Sequence, residues 1–315
     1  MLVKGVWQEN WQPVQSKDED GRFLRQTSQF RHWITPDGEP GPTGKGGFKA
    51  EKGRYHLYVA YICPWASRAL IAREIKGLQD IISVSVVNPR LTDQGWQFGG
   101  YPGADEDPVK GVRYMHELYT LSDPEVCGRA TVPALWDKKT GQLVNNESAD
   151  ILRMLNTAFS ELVDEGPDLY PTPLAEEIEA LNAYLYSDLN NGVYEAGFAS
   201  SQKAYEEAYV KVFAALDQLE ERLGDGRSYL FGEQLTETDI RLFVTLVRFD
   251  AAYYGLFKCN RNQLKEMPRL HAYMHRLLAQ DEIRQVVNLD HIKAGYYSIK
   301  ALNPGGIVPL GPDSI

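Results

Sequence analysis

The sequence predicts two domains, an α/β domain followed by an all-α domain. Residues 51–160 alternate between strand-like and helix-like segments, in the order β-α-β, a long insertion, then β-β-α. A linker rich in proline and glycine follows at 160–173, and residues 174–290 then show only the apolar spacing of amphipathic helices. A chain of 315 residues is long enough for two such domains.

Composition and charge exclude several classes of function. Hydrophobic content is 43% and the net charge is −10, which fits a globular protein and disfavours nucleic acid or an anionic membrane as the main partner. No apolar run is long enough to predict a membrane span or a signal segment. Three scattered cysteines predict a reducing cytoplasm rather than a disulfide framework, and no Cys or His spacing predicts a metal site.

Residues 1–50 are polar and rich in glycine and proline, which predicts an extension that packs on the core. Its arginines stand beside aromatic residues, and we expect surface salt bridges for most of them. At the other end, residues 291–315 predict a C-terminal extension, and the non-periodic stretch 295–309 predicts an extended conformation.

The first strand and the first helix enclose the candidate nucleophile, Cys63. Apolar and aromatic residues fill the predicted strand 55–62, and Pro64 suits the first position of a helix. Cys63 is therefore predicted at the N-cap, where backbone N–H groups and the helix dipole favour a thiolate. A thiolate there is a candidate for covalent catalysis, and an inert buried cysteine is the alternative.

Position 66 is Ala66, three residues after Cys63, where a dithiol redox protein carries its second cysteine. An external thiol, most simply glutathione, is therefore predicted to resolve any covalent intermediate. The residues 81–87 predict a second strand, and the connection 88–127 is long enough to predict a functional role. It contains Trp96, which either stacks on a ligand or packs in the fold.

Two further motifs follow the insertion. Val132 and Pro133 precede a predicted β-hairpin and match the cis-proline of thioredoxin-like folds, which leaves the backbone of Val132 available to a peptide-like ligand. Glu147 and Ser148 open the next helix, with Ser148 as the predicted N-cap. They offer groups for a carboxylate and an ammonium, and an ordinary cap is the alternative. With Cys63, these motifs predict a thioredoxin-like α/β domain plus an all-α domain, the glutathione transferase architecture.

The helical half predicts long helices at 174–194, 201–223, 237–254 and 268–279. Thr236 and Asp239 predict a capping box with a structural role. Tyr194 follows a local break in the helical pattern.

The chain closely resembles the glutathionyl-hydroquinone reductases, also called Xi-class glutathione transferases. The resemblance covers nearly the whole sequence and its motifs are specific as a set. They are Gly21-Arg22-Phe23 with Phe30-Arg31, Cys63-Pro64-Trp65-Ala66, Trp96, Ala130-Thr131-Val132-Pro133, Asn146-Glu147-Ser148, Gly192-Val193-Tyr194, and Asn303-Pro304 with Ile307-Val308-Pro309.

The resemblance implies reduction of glutathionyl-hydroquinones to hydroquinones by an enzyme that forms a homodimer. Glutathione would be a co-substrate, and Cys63 would form a mixed disulfide with it before glutathione disulfide leaves. The residues implied for glutathione are Trp96, Arg129, Val132, Pro133, Glu147 and Ser148. Those implied for the aromatic ring are Tyr194, Tyr253 and Tyr296.

A phenol suits this role, since it can donate or accept a hydrogen bond at a ring oxygen. Tyr253 and Tyr296 adjoin Tyr254 and Tyr297, so the choice within each pair rests on the resemblance. Two other functions remain open: an omega-type thiol transferase acting on dehydroascorbate or protein mixed disulfides, and a binding module without activity. The long insertion and the tyrosines favour the aromatic substrate, and a reactive thiol disfavours the binding module.

Overall fold

The computed structural model describes residues 1–9, 16–163 and 166–315. Residues 10–15 of the predicted N-terminal extension and 164–165 of the predicted linker lie outside the described residues. The chain divides into two compact units. The first comprises the described residues within 1–13 and 26–167, and the second those within 14–25 and 168–315.

The first unit is built on a four-stranded mixed sheet. Its central strand, Tyr55–Val59, is buried along its whole length, pairs parallel with Ser83–Val86 and pairs antiparallel with Ala134–Asp137. The hairpin partner Gln142–Asn145 completes the sheet. This topology confirms the predicted order of elements. The two parallel strands are joined through a crossover helix, as parallel neighbours require, whereas the antiparallel hairpin needs none.

Three helices accompany the sheet, at Pro64–Ile75, Met115–Ser122 and Ser148–Thr157. The first and third pack against each other, and both begin at the motifs that the sequence singled out. The middle helix belongs to the long insertion. A short antiparallel pair, Leu2–Val3 with Val6–Trp7, belongs to the same unit.

Part of the N-terminal extension lies along the hairpin strand Gln142–Asn145. His32 donates its backbone N–H to the Val144 carbonyl at 2.9 Å, and Arg31 forms a bridge with Asn145. The Arg31 guanidinium also forms an ion pair with Asp150 on the next helix. This segment therefore covers a sheet edge that would otherwise expose backbone groups.

The second unit is helical, with one short strand pair, Ser16–Lys17 with Phe23–Leu24. None of the helices in the described ranges is long and apolar enough to cross a membrane. The helices of this unit are Ala175–Leu185, Gly192–Phe198, Gln202–Arg222, Glu237–Arg248, Pro268–Leu278, Asp281–Arg284 and Leu289–Tyr296.

Two of the predicted helices are interrupted by π-helical turns. The predicted helix 174–194 ends as an α-helix at Leu185, passes through the π-turn Tyr186–Asn190 and restarts at Gly192. The π-turn Phe249–Tyr253 likewise replaces the end of the predicted helix 237–254. Turns of this kind often occur at functional sites, since they redirect the side chains that follow them.

Two local predictions have clear outcomes in this unit. The capping box of Thr236 and Asp239 is confirmed at the start of Glu237–Arg248. The extended conformation predicted from residue 295 is wrong at its start, because the helix Leu289–Tyr296 continues to that point and is capped by the Asn288 side chain.

Candidate active site

Cys63 caps the helix Pro64–Ile75, as the sequence predicted. Its carbonyl accepts the Ser67 N–H at 3.0 Å, and its Sγ accepts the Ala66 N–H at 3.5 Å. The side chain is half-buried. The sulfur therefore lies at the positive end of the helix dipole while remaining partly open to its surroundings.

Val132 provides the second contact to this sulfur. The Val132–Pro133 peptide bond is cis, which confirms the prediction from the sequence. The Cys63 thiol donates to the Val132 carbonyl at 3.4 Å. This carbonyl favours the protonated thiol, because only S–H can donate, whereas the Ala66 amide favours the thiolate. The two contacts thus favour opposite protonation states of Cys63.

The loop before the cis peptide bond is held by side chains of the N-terminal extension. Gln29 Nε2 donates to the Cys127 carbonyl at 2.6 Å, and the Arg129 N–H donates to Gln26 Oε1 at 3.1 Å. Gly128 has a φ of +121°, and a Cβ there would lie 2.7 Å from the Gln26 amide nitrogen. Glycine at 128 therefore permits the close approach that positions the Arg129 backbone.

Glu147, rather than Ser148, caps the helix Ser148–Thr157. Glu147 Oε1 accepts the Ala149 N–H at 3.2 Å, so the predicted cap is wrong by one residue. The reason is that the Glu147 backbone is still extended, which makes Ser148 the first helical residue. Ser148 is buried, with its hydroxyl 3.5 Å from Glu147 Oε1.

Ser28 of the N-terminal extension holds the other oxygen of the Glu147 carboxylate. Its Oγ donates to Glu147 Oε2 at 2.9 Å. The backbone beside it is fixed, since the Asn146 N–H donates to the Phe30 carbonyl at 3.0 Å and Asn146 Oδ1 accepts the Phe30 N–H at 3.1 Å. The Ala149 N–H and the Ser28 hydroxyl, which belong to separate segments, therefore orient this carboxylate. No local sequence signal indicated the contact with Ser28.

Trp96 is half-buried where the insertion turns back on itself. Its carbonyl accepts the Met115 N–H at 3.0 Å, and Gln97 forms a bridge with Tyr114. These contacts tie the Trp96 backbone to the start of the insertion's helix. Stacking of its indole on a ligand stays a prediction.

The three tyrosines singled out in the helical unit form one hydrogen-bonded cluster. The Tyr296 hydroxyl lies 2.6 Å from the Tyr194 hydroxyl and 2.8 Å from the Tyr253 hydroxyl. Tyr194 follows the first π-turn, Tyr253 ends the second, and Tyr296 ends its helix. The tertiary fold of this unit thus brings together three hydroxyls from distant parts of the sequence.

Burial keeps two of these hydroxyls protonated. Desolvation, followed by the neighbouring Tyr194, raises the pKa of Tyr253 and of Tyr296 well above the ordinary value of 10. Both side chains are almost fully buried. At physiological pH they are neutral phenols, each able to donate one hydrogen bond.

Arg25 lies over the Tyr194 ring, with its Cζ 4.9 Å from the ring centroid and 5.2 Å from that of Phe23. Its Nε donates to Asn191 Oδ1 at 2.6 Å. The expectation of surface salt bridges for most of these arginines fits Arg22, which pairs with acidic side chains at the surface. This cation–π contact joins residues 25 and 194, which are distant in sequence, so only the folded chain brings them together.

The remaining two cysteines differ in accessibility. Cys127 is exposed, and its sulfur accepts the Lys4 N–H at 3.2 Å. Cys259 is buried, and burial raises the pKa of its thiol to about 12. A buried thiol that stays protonated is a poor nucleophile.

Family models match both halves of the chain. The model for the glutathione S-transferase N-terminal domain matches residues 62–158, and the model for the C-terminal domain matches residues 202–276. The first match contains the helix-capping cysteine and the cis-proline motif.

Similar proteins cover almost the full length. Glutathionyl-hydroquinone reductase YqjG of Escherichia coli K12 is 50% identical over 313 residues, which is 99% of this chain and 94% of that protein. A glutathione-bound structure of YqjG superposes with a TM-score of 0.91 at 47% identity, covering 99% and 95% of the two chains. The crystal structure of the glutathione S-transferase Xi from Phanerochaete chrysosporium gives a TM-score of 0.90 at 46% identity, covering 96% and 99%.

Proposed function

The chain belongs to the glutathionyl-hydroquinone reductases, the Xi class of glutathione transferases, and we propose that it reduces glutathionyl-hydroquinones to hydroquinones with glutathione. The observation that carries this proposal is the helix-capping sulfur of Cys63 beside the cis-proline motif, with alanine at position 66. A nucleophilic thiol without a second cysteine at that position requires a thiol from solution. Glutathione meets this need, and the glutathione-bound structure of YqjG supports its binding in this family.

The reaction proceeds in two steps, thiolate attack on a thioether sulfur followed by thiol–disulfide exchange. The Cys63 thiolate attacks the sulfur that joins glutathione to the aromatic ring, so that an S–S bond forms and the C–S bond breaks. The ring carbon takes up a proton, and the hydroquinone leaves. The thiolate of a second glutathione then attacks the mixed disulfide, which releases glutathione disulfide and restores the Cys63 thiolate. Sulfur is oxidised and the ring carbon is reduced, so electrons balance.

We propose that glutathione is held by the side chains and backbone that the resemblance assigned around Cys63. The Val132 carbonyl, 3.4 Å from the Cys63 sulfur, suits a backbone contact with a peptide-like ligand. The Glu147 carboxylate suits an ammonium group, and the buried start of its helix at Ser148 suits a carboxylate. Trp96, Arg129 and Pro133 complete the proposed set.

The tyrosine cluster is proposed to bind the hydroquinone ring. Departure of the ring carbon as a carbanion equivalent requires proton uptake, and the keto tautomer of the ring spreads the developing charge onto oxygen. The three hydroxyls make two hydrogen bonds among themselves, so one hydroxyl proton of the cluster remains to be donated to such an oxygen. Tyr194 joins the cluster through the hydroxyl of Tyr296.

The test compares turnover of glutathionyl-menadiol with turnover of dehydroascorbate. A glutathionyl-hydroquinone reductase turns over the first far faster, whereas an omega-type transferase prefers the second. Cys63→Ala should abolish release of menadiol, and Cys127→Ser, which replaces an exposed cysteine, is the matched control. After treatment with glutathione disulfide, mass spectrometry should find one glutathione adduct at residue 63. Full activity in Cys63→Ala would overturn the mechanism.

We also propose that the chain forms a homodimer and works in a reducing cytoplasm. The scattered cysteines support the compartment, and the resemblance to dimeric transferases supports the dimer. Light scattering coupled to gel filtration should give twice the 35.6 kDa mass of one chain.

A further inference from the structure

Two histidines lie side by side on the helix Pro268–Leu278 of the helical unit. His271 and His275 are four residues apart, so they project from the same face one turn from each other. Their ring centroids are 4.3 Å apart at an angle of 72°, and their Nε2 atoms are 3.1 Å apart. Both side chains are only partly buried.

The separation of these two nitrogens matches the bite of a transition metal. Imidazole nitrogens bind Zn²⁺ at about 2.0–2.1 Å, so two of them on one cation lie about 2.9 Å apart at a right angle and about 3.3 Å apart at the tetrahedral angle. The observed 3.1 Å falls between these values. The separation of the two nitrogens is therefore compatible with both rings binding one cation.

Without a cation the same geometry allows one ring to donate an N–H to the other. Binding a cation requires the Nε2 lone pair of both His271 and His275. The donor ring meets this need by carrying its proton on Nδ1 instead of Nε2, so no proton is gained or lost. The tautomer change is available to any neutral imidazole.

A cavity of about 600 Å³ adjoins the pair and gives access for a cation. His271 and His275 line it together with Asp250, Tyr254 and Tyr297. One Asp250 carboxylate oxygen already accepts the Leu264 N–H at 2.7 Å. Over residues 1–9, 16–163 and 166–315, no group of three or more His, Cys, Asp or Glu side chains could hold a metal ion. The pair would thus supply two ligands, and water in the cavity would fill the other positions.

We propose that His271 and His275 form a two-histidine site for a late first-row divalent cation, namely Cu²⁺, Ni²⁺ or Zn²⁺. Imidazole nitrogen suits these cations, whereas Mg²⁺ and Ca²⁺ prefer oxygen ligands. The His-x-x-x-His spacing alone does not predict a cation site, whereas the observed placement of the two rings supports one. The site uses none of the residues assigned to glutathione or to the hydroquinone.

The test titrates the purified, untagged full-length protein with Cu²⁺, Ni²⁺ and Zn²⁺ separately by calorimetry at pH 7.5. We expect one cation per chain, with the affinity order Cu²⁺ above Ni²⁺ and Zn²⁺. His271→Ala and His275→Ala should each weaken binding about 100-fold or more, because a single imidazole lacks the chelate effect. His32→Ala removes a histidine of the other unit and should bind like the parent protein.

Electron paramagnetic resonance of the Cu²⁺ form should show two nitrogen ligands in the parent and one in each variant. His271→Gln keeps a hydrogen-bonding side chain and serves if the alanine variant folds poorly, as judged by circular dichroism. No cation bound by the parent up to about 1 mM would overturn the proposal. Equal binding by the parent and the His271 and His275 variants would also overturn it, since the cation would then lie elsewhere.

Discussion

The tyrosine cluster makes a graded prediction, because Tyr296 stands at its centre. Its hydroxyl is hydrogen-bonded to both Tyr194 and Tyr253, at 2.6 and 2.8 Å, whereas the Tyr253 hydroxyl shares only one of these bonds. The substitution Tyr296→Phe removes both bonds and leaves the buried ring in place. Tyr253→Phe removes one.

The loss of stability follows from the number of bonds removed. A buried hydrogen bond contributes about 1 kcal/mol net, so Tyr296→Phe should lower the free energy of unfolding by about 2 kcal/mol and Tyr253→Phe by about 1 kcal/mol. For a unit of this size, 1 kcal/mol corresponds to a shift in Tm of about 2–4 °C. The expected shifts are therefore about 4–8 °C and 2–4 °C.

Thermal unfolding followed by circular dichroism measures these shifts, with Tyr297→Phe as the matched control. Tyr297 is the next residue along, is half-buried, and lies outside the cluster, so its substitution should change Tm by less than about 2 °C. Steady-state kinetics with glutathionyl-menadiol form the second assay. Tyr296→Phe should reduce kcat about 10-fold or more, since a donor to the ring oxygen is lost, while the KM for glutathione stays within about twofold.

Two results would refute this reasoning. Equal shifts in Tm for Tyr296→Phe and Tyr297→Phe would show that the central hydroxyl contributes no special stability. Equal losses in hydroquinone release and in glutathione binding would show that Tyr296 does not act on the ring.

Three further substitutions test other parts of the fold and site. Ser28→Ala should raise the KM for glutathione about fivefold with kcat unchanged, because Glu147 loses an orienting donor; Ser28→Thr should restore it, and a fall in kcat alone would contradict the role. Arg54→Met should lower the free energy of unfolding in urea by about 3–5 kcal/mol, because fully buried Asp137 loses its ion pair; a loss below about 1 kcal/mol would contradict this. Burial lowers the pKa of His56 to about 4 from 6.5, so only the unfolded chain binds its proton between these values, and stability should fall as pH falls from about 6.5 to about 4. His56→Gln should flatten that fall in urea unfolding, and an unchanged slope would contradict the assignment.

Much of the local structure around Cys63 follows from neighbouring residues. The strand–cysteine–proline order predicts the helix start, and the confirmed cap and cis peptide bond depend on residues adjacent in sequence. The predicted cap at Ser148 missed by one residue because both Glu147 and Ser148 can accept a backbone N–H. Only the backbone conformation of Glu147 decides between them.

Other contacts join residues too distant for any local pattern to indicate. Ser28 reaches Glu147 across 119 positions, and Tyr194 reaches Tyr296 across 102. The sequence indicated a break before Tyr194 but did not identify the π-turns themselves, because each spans only five residues. These turns nevertheless determine where Tyr194 and Tyr253 point.

The sequence by itself determined the fold class and the cysteine that caps the first helix, because these depend on short-range backbone chemistry. It also predicts that this cysteine is the nucleophile and, because position 66 is alanine, that an external thiol resolves the intermediate. The tertiary structure alone decided that Tyr194, Tyr253 and Tyr296 share one hydrogen-bonded cluster and that Ser28 orients Glu147. Those features depend on how chain segments and side chains are placed relative to one another, and composition and periodicity do not encode that placement in any single stretch.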